Sequence, residues 1–232
     1  MLALLAVLAS TALVQADRDS RAAPTSEARR MVHDFGECIV RKQQRRASEA
    51  MLADIGNGEL MRRYPQLIDG KCVKLPAGQT VRMSFKGQQF RYALSDALVR
   101  RELTGLVAGS FEAVPLLSHF APARPSQLGP NGKPLKEARY QELLREYEED
   151  QAFAFLSRLG ECVVRLEPAG ARALLQTVPA SADEHGRFQP LTRAFGTCLP
   201  EGRTLSFGKQ ALRGTIATNY YRLAKAAAGV AK

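Results

Sequence analysis

The hydrophobic residues of the chain recur with the period of an α-helix. One stripe, at positions spaced i, i+1, i+4, i+7 and i+8, consists of Met31, Val32, Phe35, Cys38 and Ile39. The same spacing returns 124 residues later in Phe155, Leu156, Leu159, Cys162 and Val163. Such a stripe is typical of an amphipathic helix that buries one face, and the cysteine lies on that face. Only residues 80–85 alternate as a strand would, so the pattern predicts an all-α protein.

The two stripes belong to longer segments that match each other in sequence. Residues 36–41 read GECIVR and residues 160–165 read GECVVR, while residues 70–72 and 196–198 read GKC and GTC. Further matches in the same order pair Ser84, Phe85, Gln88, Arg91 and Arg100 with Ser206, Phe207, Gln210, Arg213 and Arg222. Because the order is preserved and the spacing drifts by only a few residues, the sequence predicts a tandem duplication of a unit of about four helices.

The duplication predicts how the chain is divided. The first unit covers residues 26–103 and the second covers residues 135–225, with a linker over residues 104–134. The second half of the linker is rich in proline and glycine, which indicates a loop. The first half carries several large apolar residues, so we expect it to pack on one of the units.

The cysteines support the same division. The chain has four of them, Cys38, Cys72, Cys162 and Cys198, and four cysteines allow three pairings. A unit that once folded alone needs its disulfide within itself, so the duplication favours Cys38–Cys72 and Cys162–Cys198. Each such disulfide adds about 4 kcal/mol of stability through loop-closure entropy. No C-x-x-C motif and no zinc spacing is present, which leaves four buried free thiols as the main alternative.

Residues 1–16 form an apolar segment without a charged side chain. The segment is too short to span a bilayer comfortably, and it ends in a small-x-small pattern, Val14-Gln15-Ala16, that suits signal peptidase. We therefore predict a signal peptide and a secreted or periplasmic protein, an environment in which disulfides persist. No Lys or Arg precedes the apolar run, so a retained N-terminal anchor is the alternative.

The sequence contains none of the common catalytic or nucleotide-binding motifs. A P-loop, a dinucleotide glycine motif, H-E-x-x-H and G-x-S-x-G are all missing. We predict no catalytic residue, no metal ligand and no cofactor. The three histidines, His33, His119 and His185, are scattered and have no counterpart in the other copy. We expect them to lie at the surface or at helix ends.

Two candidate polar pairs recur in both copies, Glu37 with Arg91 and Glu161 with Arg213. Polar groups at a packing seam need partners, so we interpret each pair as an ion pair between helices that fixes the geometry of its unit. The alternative interpretation makes the two pairs equivalent binding sites. Each glutamate also stands four residues before an arginine, the favourable order for a pair on a helix surface.

The repeated motifs resemble those of a group of uncharacterised secreted bacterial proteins. These proteins carry F/L-G-E-C-V-V-R early, a Gly-x-Cys further on, and a basic last helix that begins with Ser-Phe or a similar pair. The resemblance covers both units but not the linker. It implies export and a helical fold, and it transfers no activity.

The composition favours binding over chemistry. Lys and Arg number 33 and Asp and Glu number 23, a formal net charge of +10 that removal of residues 1–16 leaves unchanged. This charge is either scattered over solvated helix faces or attracts anionic partners. We predict a non-enzymatic protein that binds an envelope protein, an anionic polymer or a membrane surface, with nucleic acid as the least favoured partner. The alternative is a cell-envelope hydrolase with a site between the units, which would place in one unit a polar cluster that the other lacks.

Overall fold

The computed structural model describes residues 25–73, 87–105, 109–201 and 207–230. Within them the regular structure is helical, and an isolated bridge joins Leu128 to Pro134. This confirms the all-helical class. The predicted signal peptide, the alternating segment and the matching residues Ser84 and Ser206 lie outside the described residues.

The described residues form eight α-helices, which are α1 (Ser26–Leu52), α2 (Asn57–Arg63), α3 (Gly87–Glu102), α4 (Glu137–Leu166), α5 (Pro168–Gln176), α6 (Ala182–Phe188), α7 (Thr192–Cys198) and α8 (Lys209–Val230). Short 3-10 turns cover Pro65–Leu67, Gly70–Cys72 and Gln189–Leu191. Helices α1 to α3 come from the first half of the chain, and α4 to α8 come from the second. The described halves differ by two helices. The segment at the second cysteine is a 3-10 turn in the first half and helix α7 in the other, and α1 continues through Gln43 whereas α4 and α5 are separate helices.

The helix that carries the first cysteine of each half leaves helical geometry at a matching position. Inside α1 this happens at Gln43, which has φ −138° and ψ 42°. Glu167, 124 residues later, has φ −133° and ψ 61° and separates α4 from α5. Pro168 at the start of α5 explains the second break, because proline lacks the N–H that would continue α4. At the first break the Gln43 side chain donates to the carbonyl of Gln66 at 2.6 Å, which ties the bend to a following loop.

The four long helices pack side by side in the order α1, α3, α8, α4. Helices α3 and α8 form the central pair, with α1 against α3 and α4 against α8. One hydrophobic cluster extends through all four helices, and its buried members include Phe35, Ile39, Leu94, Leu98, Val163, Leu174, Ile216 and Tyr220. The two halves of the molecule therefore share one core, to which α3 contributes Leu94 and Leu98.

The glycine of each GEC motif lies where two helices approach most closely. A Cβ atom at Gly36 would lie 2.3 Å from the carbonyl oxygen of Ala93 on α3. A Cβ atom at Gly160 would lie 2.9 Å from the carbonyl oxygen of Thr215 on α8. Both distances are below van der Waals contact, and the neighbouring atom is backbone. Any larger residue would therefore push the cysteine helix away from the last helix of its half.

The central helices α3 and α8 meet at matching positions of the two halves. A Cβ atom at Gly214 would lie 2.0 Å from Cγ of Tyr92, a residue 122 positions earlier in the chain. One turn further on, the hydroxyls of Ser95 and Thr218 lie 2.9 Å apart. The missing side chain of Gly214 therefore lets α3 and α8 approach closely at Tyr92.

Two disulfides fasten the elements of each half. Cys38 is bonded to Cys72 and Cys162 to Cys198, with Cα–Cα distances of 5.5 Å and 5.8 Å. This is the predicted pairing, and it joins α1 to a 3-10 turn and α4 to α7. The disulfides indicate an oxidising environment. Among the described helices, none combines the length and the apolar character that crossing a membrane requires.

Candidate functional site

A segment of the linker lies along α4 and α8. This segment, residues 111–120, is called the strap below. It contains no helix, and its residues Phe111 and Val114 are buried. The ring of Phe111 meets the ring of Tyr220 edge-on, with centroids 5.6 Å apart. Phe111 of the linker thus packs on α8 of the second half of the molecule.

Arg165 on α4 holds the first part of the strap. Its guanidinium group donates to the carbonyl oxygens of Phe111, Val114 and Pro115 at 2.7, 2.9 and 2.7 Å. The same group donates through Nε to Glu161 at 2.8 Å, which orients it. A planar, rigid fork of donors suits this task, because one side chain satisfies three backbone acceptors at once.

Glu161 holds the middle of the strap. Its carboxylate accepts the backbone N–H of Leu117 at 3.0 Å and lies 2.5 Å from Nε2 of His119. Burial by itself would raise the pKa of Glu161, but the hydrogen bonds from Leu117, His119 and Arg165 outweigh it and lower the pKa below its ordinary value. Arg222 on α8 completes the clamp, because it donates to the carbonyl of Ser118 at 2.8 Å.

His119 does not lie at the surface as the sequence analysis expected. Its Nε2 faces the carboxylate of Glu161, and its Nδ1 lies 2.8 Å from the hydroxyl of Ser157 on α4. Serine, histidine and glutamate in one hydrogen-bonded chain are the residue types of a hydrolase triad. Here, however, Ser157 is only 4% exposed. In the conformation described, the chain of hydrogen bonds fixes the strap, because the hydroxyl is not accessible to a substrate.

The first half carries the same clamp residues on α1 and α3. Glu37 and Arg41 precede Glu161 and Arg165 by 124 positions, and Arg100 precedes Arg222 by 122. The surface formed by Glu37, Arg41 and Arg100 is called the open face below, and the surface formed by their three counterparts is called the strapped face.

The residues of the open face are more accessible than their counterparts. Arg41 is exposed, and the side chain of Glu37 is 35% exposed and lies 3.8 Å from Nε of Arg100. Within the described residues, no backbone N–H donates to Glu37 and no backbone carbonyl accepts from Arg41. Burial raises the pKa of Glu37 and outweighs the opposite effect of His33 and Arg100.

A second polar cluster joins the two halves at the centre. Arg213 on α8 lies 2.9 Å from Asp96 on α3 and 3.4 Å from Glu184 on α6, and Glu184 also accepts from Arg29 at 2.7 Å. His33 lies 3.3 Å from Asp96. Burial favours the neutral form of Asp96, yet Arg213, His33 and Arg100 together bring its pKa down to about 2.

The predicted pairs of Glu37 with Arg91 and of Glu161 with Arg213 do not form in the described structure. Arg91 donates instead to Asn57 at 3.1 Å and to the carbonyl of Ile55 at 2.6 Å. Arg213 likewise donates to the carbonyls that end α5. Both arginines thus have the same task, which is to satisfy backbone carbonyls just beyond the second helical segment of their half. Glu37 lies near Arg100 and Glu161 accepts from Arg165, and the predicted pairs included neither arginine.

The remaining candidates are weaker. His33 is partly buried beside Asp96, and only His185 is exposed, as predicted, next to Lys209. In the part of the chain that the structure describes, no three His, Cys, Asp or Glu side chains are placed to hold a metal ion. A cavity of about 220 Å³ between α3, α5 and α8 is lined mainly by apolar atoms, with Arg100 and Arg172 at its edge.

No protein-family model, curated protein or solved structure matches the chain. The resemblance to secreted bacterial proteins therefore rests on the repeated motifs alone. The function has to be argued from the two related faces and from the strap that covers one of them.

Proposed function

We propose that the protein is an exported, non-enzymatic binding protein that arose by tandem duplication of one helical unit and binds a partner protein on the open face. The matching breaks at Gln43 and Glu167, the matching glycines Gly36 and Gly160, and the matching disulfides support the duplication. The apolar residues 1–16 and the disulfides support export.

One observation carries the binding role. The same three residue types clamp an extended segment on the strapped face. On the open face Arg41 is exposed and Glu37 is partly exposed, while Arg100 donates to the carbonyl of Thr177. Arg165 is needed there to satisfy strap carbonyls, whereas Arg41 satisfies no described carbonyl. Within the described residues Arg41 has no backbone partner, and a segment supplied by another molecule would provide one.

Site-directed photo-crosslinking in the producing cell tests this role. A photo-crosslinking amino acid replaces Arg41 in the full chain, and the control chain carries it in place of Arg63, an exposed arginine of α2. We expect a defined adduct with one protein from position 41 and none of that adduct from position 63. The same adducts from both positions, or no adduct from position 41, would contradict the proposal.

Export is tested separately by mass mapping of the protein under non-reducing conditions. We expect residues 1–16 to be absent and the two disulfides to be present. An intact N-terminus with four free thiols would overturn the export part of the proposal.

A cell-envelope hydrolase is the second candidate, and the Ser157–His119–Glu161 chain is the observation that favours it. The strap would have to open before Ser157 reached a substrate. A fluorophosphonate probe tests this on the full chain, with Ser157→Ala as the control. The binding proposal expects no labelling that depends on Ser157, and labelling that Ser157→Ala abolishes would favour the hydrolase.

A further inference from the structure

We infer that the open face takes an extended peptide segment that runs antiparallel to α1 and carries acidic residues at its N-terminal end. The inference rests on the proposed binding function and specifies the chemistry of the partner. It is argued from the direction of the strap, from the atoms that the clamp recognises, and from the one place where the two faces differ in charge.

The strap gives the direction of the bound segment. Its start lies at Arg165, its middle at Glu161 and its end at Ser157, so the strap runs from the C-terminal end of α4 towards the N-terminal end. The matching residues of α1 are Arg41, Glu37 and His33. A segment bound in the same way would enter at Arg41 and leave near His33.

The clamp recognises backbone rather than side chains. Arg165 and Arg222 donate to four strap carbonyls, and Glu161 accepts one strap N–H. Among these hydrogen bonds that of His119 uses a strap side chain, and the buried ring of Phe111 adds an apolar contact with Tyr220. On the open face Arg41 and Glu37 offer the same kind of donor and acceptor, while Arg100 already donates to the carbonyl of Thr177 at 2.7 Å. Arg41 and Glu37 are suited to the backbone of an extended segment, because every extended segment offers free carbonyl and N–H groups.

The two faces differ in charge at the entry end. The open face continues into Lys42, Arg45 and Arg46, whose counterparts in the second half are Leu166, Ala169 and Gly170. Arg45 is 87% exposed and lies 3.6 Å from Glu49, Arg46 is exposed, and Lys42 is paired with Asp69 at 2.9 Å. A bound segment enters at this end, so residues that precede its docked part meet the cluster. Acidic side chains there gain attraction that the strapped face does not offer.

Fluorescence anisotropy with labelled peptides tests the inference on the full chain. The probe is the strap sequence itself, residues 109–121 (GSFEAVPLLSHFA), preceded by three aspartates, and the matched probe is preceded by three lysines. We expect the aspartate peptide to bind at least tenfold more tightly at low salt, with the difference shrinking at 0.5 M NaCl. The intramolecular strap acts at an effective concentration in the millimolar range, so a micromolar probe does not displace it.

Two sets of variants locate the binding. Arg41→Ala should weaken binding of the aspartate peptide about tenfold or more. Arg63→Ala, which removes the same charge elsewhere, should change the affinity for this peptide less than about twofold. N-methylation of the peptide residue that corresponds to Leu117 removes the N–H meant for Glu37 and should also weaken binding. N-methylation at the position of Leu116, whose N–H the clamp does not use, is the control.

The outcomes separate the inference from the proposed function. Equal affinities of the two peptides, or equal effects of Arg41→Ala and Arg63→Ala, overturn the inference. If position 41 crosslinks to a partner but neither peptide binds, the binding function stands and the inference that the partner supplies an extended acidic segment is wrong. If position 41 yields no adduct and neither peptide binds, both are wrong.

Discussion

Arg165→Ala removes the residue that holds the strap, and Arg41→Ala removes its counterpart on the open face. Both changes replace an arginine at the last position of a GEC-x-V-R motif with alanine. By sequence the two changes are nearly identical. In the structure, Arg165 donates to three strap carbonyls and Arg41 donates to none that is described.

The contacts of Arg165 set the size of the expected effect. A hydrogen bond that involves a charged group contributes about 1.5–3 kcal/mol, and such contributions are not additive. The Arg165 side chain is 18% exposed, so water replaces part of what the carbonyls lose. We therefore expect Arg165→Ala to lower the free energy of unfolding by about 3 kcal/mol. Arg41→Ala should change it by less than about 0.5 kcal/mol, as surface substitutions usually do.

Two assays measure this difference. Urea denaturation followed by far-UV circular dichroism gives the free energy of unfolding of each variant. Limited chymotrypsin digestion reports opening of the strap, where Leu116 is 83% exposed but held in place by its neighbours. A loss of about 3 kcal/mol corresponds to roughly a hundredfold faster cleavage of the strap. Equal losses of stability in the two variants, or unchanged cleavage of Arg165→Ala, would refute the role given to the clamp.

Other contacts of the structure lead to predictions about stability. Gly160→Ala should lower the free energy of unfolding in urea by about 1–3 kcal/mol through overpacking, whereas Gly186→Ala, with open space around its Cβ, should not lower it. The pKa of Asp96 falls from 3.8 to about 2 on folding, so the stabilisation is present above about pH 4 and lost towards pH 2. Urea unfolding at a series of pH values should show the free energy of unfolding fall by about 2 kcal/mol between pH 4 and pH 2. Asp96→Asn should remove this part of the pH dependence. Replacing Cys38 and Cys72 together with alanine should cost about 4 kcal/mol, and an unchanged urea midpoint would contradict the structural role of that disulfide.

The two faces differ because the linker enters only one of them. The strap belongs to the segment that precedes α4, and it folds back over the helix that follows it. In the first half Arg41 and Glu37 bind no such segment within the described residues, and Arg100 donates to the carbonyl of Thr177 at 2.7 Å. The strapped face is thus occupied by the chain itself, while Arg41 and Glu37 on the open face stay accessible.

The period of the hydrophobic residues was enough to predict the helices and their buried faces. Phe35, Ile39, Leu94 and Leu98 share stripes in the sequence and are buried in the structure. The predicted disulfide pairing also followed from the order of the cysteines and the match between the halves. These properties depend on local geometry and chain order, both of which the sequence states directly.

The partners of the polar residues were decided by the tertiary structure. The sequence showed that Glu37, Glu161, Arg91 and Arg213 recur, but it paired them wrongly. It also gave no sign that the buried partner of Glu161 would be His119, which comes from the linker. Helical periodicity specifies which residues share a face of one helix. It does not specify the rotation and crossing of two helices, or the path of a loop across them, and those decide which charged groups meet.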